Sequence, residues 1–227
     1  MNTWVKVARY QMVQRLNYVT LPWAALALIF VAQWAVIAML GMHNTQLTGV
    51  VAIYAVFLIV GAGSVAQSLP FGLALGLSRR SYFLGTVLLA VALAAVDGLA
   101  LAGLRGIERA TGGWGLDMSF FGVAYILEGP WYLTWATSFV GLTLLFVYGL
   151  WWGLIYQRWN RIGVRVFVVA QVAVLLAIGL TADRFGSWPG IGQFFTDLTA
   201  PGLTGVLAVI AALLIVGGYV TMRRVRV

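Results

Sequence analysis

This 227-residue chain predicts an all-α, polytopic membrane fold, and three observations carry that prediction. Six apolar runs extend roughly over Pro22 to Gly41, Gly49 to Leu75, Tyr82 to Leu104, Trp131 to Trp152, Ile162 to Ala182 and Gly202 to Met222. Each holds the ~20 apolar residues that a bilayer-crossing helix needs. Within lipid, a helix satisfies every backbone N–H and C=O inside one such segment. The second observation is composition: 62% hydrophobic residues, 9% charged residues and a mean hydropathy of +0.96 exclude an ordinary soluble domain. The third is where the charge falls. With the N-terminus in the cytoplasm, Lys6, Arg9, Arg15, Arg79, Arg80, Arg158, Arg161, Arg165, Arg223, Arg224 and Arg226 all lie inside. Only Arg105, Arg109 and Arg184 lie outside. That division follows the positive-inside rule and places both termini in the cytoplasm. The six carboxylates, Asp97, Glu108, Asp117, Glu128, Asp183 and Asp197, fall at or beyond the outer ends of the runs.

The elements follow in order. From Trp4 to Val19, the residues Val5, Ala8, Met12, Leu16 and Val19 recur at helical spacing, while Lys6, Arg9, Gln14 and Arg15 take other faces. Residues 1–20 therefore read as an amphipathic helix on the cytoplasmic surface, capped by Thr3, or as a plain basic anchor before the first span. Pro22 permits a sharp elbow into that span. The outer loop His43 to Thr48 is short, and His43, the one histidine, has no partner there for a metal site or dyad. The second run, about 27 residues, would be ~40 Å long as one helix, so it must tilt, kink at Pro70 or project from the bilayer.

A tight inner turn follows, Gly76-Leu77-Ser78-Arg79-Arg80-Ser81-Tyr82-Phe83-Leu84-Gly85, with Ser78 as a helix cap and paired guanidiniums suited to carboxylates. As a bare anchor it would serve topology alone. Asp97 lies ~25 Å along the third helix from Arg80, near enough to Arg105, Glu108 and Arg109 to suggest an outer charge cluster, read as structural pairing ahead of proton or substrate coupling. Thr111-Gly112-Gly113 breaks the long outer segment 105–130, and Met118 to Leu127 is too short to span, so it should lie in the interface or re-enter. A second basic inner turn, Tyr156 to Arg161, offers Arg158, Trp159 and Arg161 as a further cytoplasmic contact. The segment 183–201 turns at Trp188-Pro189-Gly190 and is a second candidate for an interfacial or re-entrant helix. Polar residues inside the spans, among them Gln33, Ser64, Gln67, Thr134, Thr137, Ser138, Thr143 and Gln171, read as interhelical hydrogen-bonding groups.

Several function classes drop out. The chain has no Gly-x-x-x-x-Gly-Lys-Ser/Thr phosphate loop, no His-Glu-x-x-His motif and no cysteine. An enzyme is therefore not expected, nor a metal site. The net charge of +8 is accounted for by inner loops facing anionic lipid rather than by nucleic acid. The first twenty residues do not have the pattern of a cleavable signal peptide.

The turn from Gly76 to Gly85, set between the second and third of six spans and preceded by an amphipathic segment, resembles the membrane subunits of the ABC-type-2 permease family. The resemblance implies a single permease domain over 1–227, with 1–20 as a connecting helix and 21–227 as a six-helix bundle. It makes Ser78, Arg79, Arg80, Ser81 and Tyr82 the coupling contacts to a separate ATPase subunit, which would hold ATP and magnesium, while this chain binds no cofactor. It also implies a second permease subunit, a bacterial plasma membrane and export of a hydrophobic or amphiphilic substrate. The alternative is a membrane scaffold or sensor subunit that moves nothing.

Overall fold

The computed structural model describes residues 16–41, 49–66, 69, 72–73, 76, 78–122, 130–190, 193 and 199–224. Among these the chain is almost wholly helical and forms no strand. The helices are α1 (Leu21–Leu40), α2 (Val51–Ala66), α3 (Arg79–Ala110), α4 and α5 (131–159 and 161–184, two limbs of the run Trp131–Arg184) and α6 (Ala200–Arg224). Four runs are long and apolar enough to cross a membrane: Tyr18–Leu40, Arg79–Ala110, Trp131–Arg184 and Ala200–Met222. α2 is apolar but shorter. This is the make-up of an all-α membrane protein.

At 54 residues, the run Trp131–Arg184 would be ~80 Å long if straight, far beyond a bilayer. It is not straight. Asn160, at φ 55° and ψ −151°, leaves the helical region and doubles the chain back. Contacts on either side are nearly symmetric about this residue: Gln171 donates to the Tyr148 hydroxyl, and the Trp152 and Phe167 rings meet edge to face at 5.2 Å. α4 and α5 are thus an antiparallel hairpin whose turn is a single residue.

The core is built where small residues let backbones approach. A Cβ added at Gly61 would overlap the Phe146 carbonyl oxygen, one at Gly149 would overlap that of Leu58, and one at Gly153 would meet that of Ala62. Glycines at such spacing allow α2 and α4 to pack backbone against backbone, which is how helices gain contact where lipid removes most of the hydrophobic drive. Around this seam Phe57, Leu142, Phe146, Leu150 and Leu154 are buried. α3 lies against α4, with Trp135 Nε1 donating to the Ala95 carbonyl at 3.2 Å. α6 lies against α4 and α3: Trp151 Nε1 reaches the Leu214 carbonyl at 3.0 Å, and Thr137 and Thr204 hydroxyls share a bond of 2.7 Å. α5 is the peripheral helix, and Gly163 and Ala182 are its only buried residues.

Two expectations change. The elbow at Pro22 is instead a widened π turn over Leu16–Thr20 that runs straight into α1, with Thr20 in the right-handed helical region. Proline has no N–H for the carbonyl four residues back and clashes with it, and a π turn relieves both problems without breaking the helix. Tyr18 is accordingly buried. In the outer segment, 118–122 is not helical: Met118, Phe120 and Phe121 tuck into the bundle, where Phe120 meets the Phe30 ring at 5.1 Å. The expected amphipathic pattern up to residue 15, the His43 to Thr48 loop, Gln67, Pro70 and segments 123–129 and 194–198 lie outside the described residues.

Candidate functional site

The bundle has two chemically different ends. One gathers Val50, whose N–H meets the Phe120 carbonyl at 3.3 Å, together with Glu108 and Trp114. The opposite end gathers the last residues of α2, the start of α3 and the α4–α5 turn. The second end carries Arg79, Arg80, Arg158, Arg161 and Arg165, and no described carboxylate.

At this basic end the Ser78 side chain caps α3 as the sequence expects, accepting the Ser81 N–H at 3.1 Å from an extended backbone. The cap fixes Arg79 and Arg80 in the first helical turn, with Arg80 exposed and Arg79 half-buried. Tyr82 is placed differently from the expectation of a partner contact. It is fully buried, and its hydroxyl donates to the Ser64 carbonyl near the end of α2. A tyrosine ring one turn into a helix that enters the bundle packs inward, so Tyr82 is an anchor. Of the five candidates, Ser78, Arg79, Arg80 and Ser81 retain solvent-facing surface.

The second basic turn is tied to the same place. Gln157 Nε2 donates to the Ala66 carbonyl at 2.8 Å and lies 3.5 Å from that of Val65. The last carbonyls of a helix have no partner within it. In α2 those of Ser64 and Ala66 are taken by Tyr82 and Gln157, which clamp the starts and ends of three helices together. Beyond Gln157 the Arg158 guanidinium lies over the Trp159 ring, 4.5 Å from its centroid. Asn160 Oδ1 accepts the Arg161 N–H at 2.9 Å, and Arg158, Trp159 and Arg161 are all exposed. Sequence reading named Arg158, Trp159 and Arg161 but not Gln157 or Asn160. Asparagine between two cationic helical stretches was the available signal, since it tolerates positive φ better than most residues.

At the other end the expected charge cluster is partly assembled. Arg105 pairs with buried Glu108 and also donates to Ser119 Oγ at 3.1 Å. Glu108 Oε2 accepts the N–H groups of Phe120 and Phe121 at 2.9 and 2.8 Å, and Trp114 Nε1 at 3.3 Å. Asp97 stands apart, buried and accepting Trp23 Nε1 at 3.0 Å, and Arg109 is on the exposed face. Among the described residues no three His, Cys, Asp or Glu side chains converge as a metal site would require. No family model matches the chain, and no curated protein or solved structure matches it.

Proposed function

We propose that the chain is a non-catalytic, membrane-spanning subunit of an ATP-binding-cassette transporter, with six spans and both termini in the cytoplasm. The observation that supports this reading best is the clamp at the basic end, where two arginine-bearing turns hang on the last carbonyls of α2 through Tyr82 and Gln157. A turn transmits force only if it is stiff and held at its tip. The capped Ser78–Arg80 turn has guanidiniums to be held by carboxylates of an ATPase, and charge-assisted contacts are the strong ones. Displacement at Arg80 would pass through Tyr82 into α2 and through Gln157 into α4. Arg158, Trp159 and Arg161 form the secondary contact. The membrane unit is then a pair of such subunits around a shared path for a hydrophobic or amphiphilic substrate, working as an exporter.

Reversing the charge with Arg79→Glu and Arg80→Glu tests the reading. The double variant should insert and fold normally, because nine of the eleven inner cations remain. Recruitment of the ATPase to membranes should fall by about tenfold or more, the equivalent of one lost charge-assisted contact. Undiminished recruitment and turnover would favour a scaffold or sensor subunit that moves nothing.

A further inference from the structure

The α4–α5 hairpin leaves a groove that the packing of the bundle does not fill. Near the turn it encloses about 470 Å³ between Ile155 and Trp159 on α4 and Ile162, Gly163, Val166 and Phe167 on α5. It continues past Phe167 and Ala170 into a second hollow of about 540 Å³ that reaches Tyr148, Gln171 and Val174. From Gly163 to Val174 the groove is about 16 Å long at 1.5 Å per residue, the depth of half a ~30 Å hydrocarbon core. Its wall is almost wholly apolar, and at the turn end Gly163 lets α5 come close to Trp159, which an added Cβ would overlap. Cations flank its turn end: Arg158 rides on the Trp159 ring that forms part of the wall, and Arg161 and Arg165 are exposed at the start of α5.

We propose that this groove binds one anionic glycerophospholipid, an acyl chain lying along Phe167 and Ala170 and the phosphate held by Arg158 and Arg161. The inference rests on the cytoplasmic placement of this turn, not on transport. Charge complementarity selects the occupant. An apolar slot of one leaflet's depth below a guanidinium pair fits a molecule with an anionic head and a hydrocarbon tail, and basic pockets between helices on the cytoplasmic side recognise such heads. A second copy docked symmetrically on this face would bring the same arginines against one another.

The test uses the full chain in nanodiscs of phosphatidylcholine containing a minor fraction of phosphatidylglycerol, with retained lipid counted by native mass spectrometry. Wild type should retain one phosphatidylglycerol per chain with a preference of about 30-fold, as two arginines at an anionic surface imply. Arg158→Gln with Arg161→Gln should abolish the preference. Ala170→Trp, or Val166→Trp as a second blocking variant, should abolish retention, because both residues are exposed and line the groove. Val169→Trp, equally exposed and outside the lining, should behave as wild type. Equal retention of both lipids by wild type would overturn the proposal, as would normal retention by both blocking variants or displacement of the lipid by water-soluble glycerol phosphate alone. ATPase recruitment by Ala170→Trp, measured in parallel, should stay at the wild-type level, so failure of the lipid site and failure of the transporter reading give different results.

Discussion

Glu108 is a single buried carboxylate that organises a loop. One oxygen takes the Arg105 guanidinium, and the other takes two consecutive backbone N–H groups and an indole N–H, so every lone pair facing the protein is used. The loop 113–121 contains Trp114 at φ 60° and Asp117 at φ 49°, an arrangement that needs such an external tie. Glu108→Ala is expected to destabilise the fold by about 3–5 kcal/mol, because it leaves a half-buried arginine uncompensated and orphans two amides. Adding Arg105→Ala should recover only a minor part, since the amides of Phe120 and Phe121 remain unsatisfied; thermal unfolding in detergent reads both. Recovery to near wild type would show that the ion pair, not the amides, holds the loop. The Arg105–Glu108 pair was legible in the sequence because three residues on a helix are neighbours. Asp97 with Trp23 was not, because a partner 74 residues away leaves no local pattern. Tyr82 was misread for a related reason: an aromatic at an interface looks the same in sequence whether its hydroxyl meets a partner or the end of another helix.

At the scale of elements, hydropathy marks where apolar helices lie but not which of them touch. The α2–α4 seam depends on Gly61, Gly149 and Gly153, and in the sequence these look like any of the other glycines. The distinction is steric and can be measured. Gly149→Ala places a methyl group into the Leu58 carbonyl, forcing two backbones apart, and should cost about 2–3 kcal/mol, in the range of overpacking. Gly205→Ala on α6 has open space around the new Cβ and should be neutral or stabilising by up to about 1 kcal/mol from helix propensity. Melting both variants in the same detergent checks the pair, and equal shifts would mean that the seam is looser than its geometry. The α4–α5 turn shows a different limit. The sequence reads Tyr156 to Arg161 as an inner loop, yet the helix persists through Trp159 and resumes at Arg161, because nothing before Asn160 breaks a helix and Gln157 gains a bond by staying in one.

For the molecule as a whole, the most telling property is the separation of charge between its ends, and this was the most legible because it is carried by loop composition. The turns at 78–80 and 158–165 come together through the end of α2, while Glu108 and Asp117 lie with the first residues of α2 at the other end. Asp183 and Arg184 close α5, which rises ~35 Å from the basic turn. The positive-inside rule supports the proposed orientation, with the arginine end toward the cytoplasm, because cationic loops resist translocation. The chain contains no cysteine, so single cysteines report without background. A cysteine replacing Ser81, whose hydroxyl sits in an exposed bond to Ser78, should react with a membrane-impermeant maleimide only after cells are opened. One replacing exposed Ser187, just beyond α5, should react in intact cells. Both outcomes together require an odd number of crossings between residues 81 and 187, as the proposed topology has with one crossing each by α3, α4 and α5. Labelling of the Ser81→Cys variant from outside would invert the molecule, remove the basic turns from any cytoplasmic ATPase and place the groove arginines in the wrong leaflet.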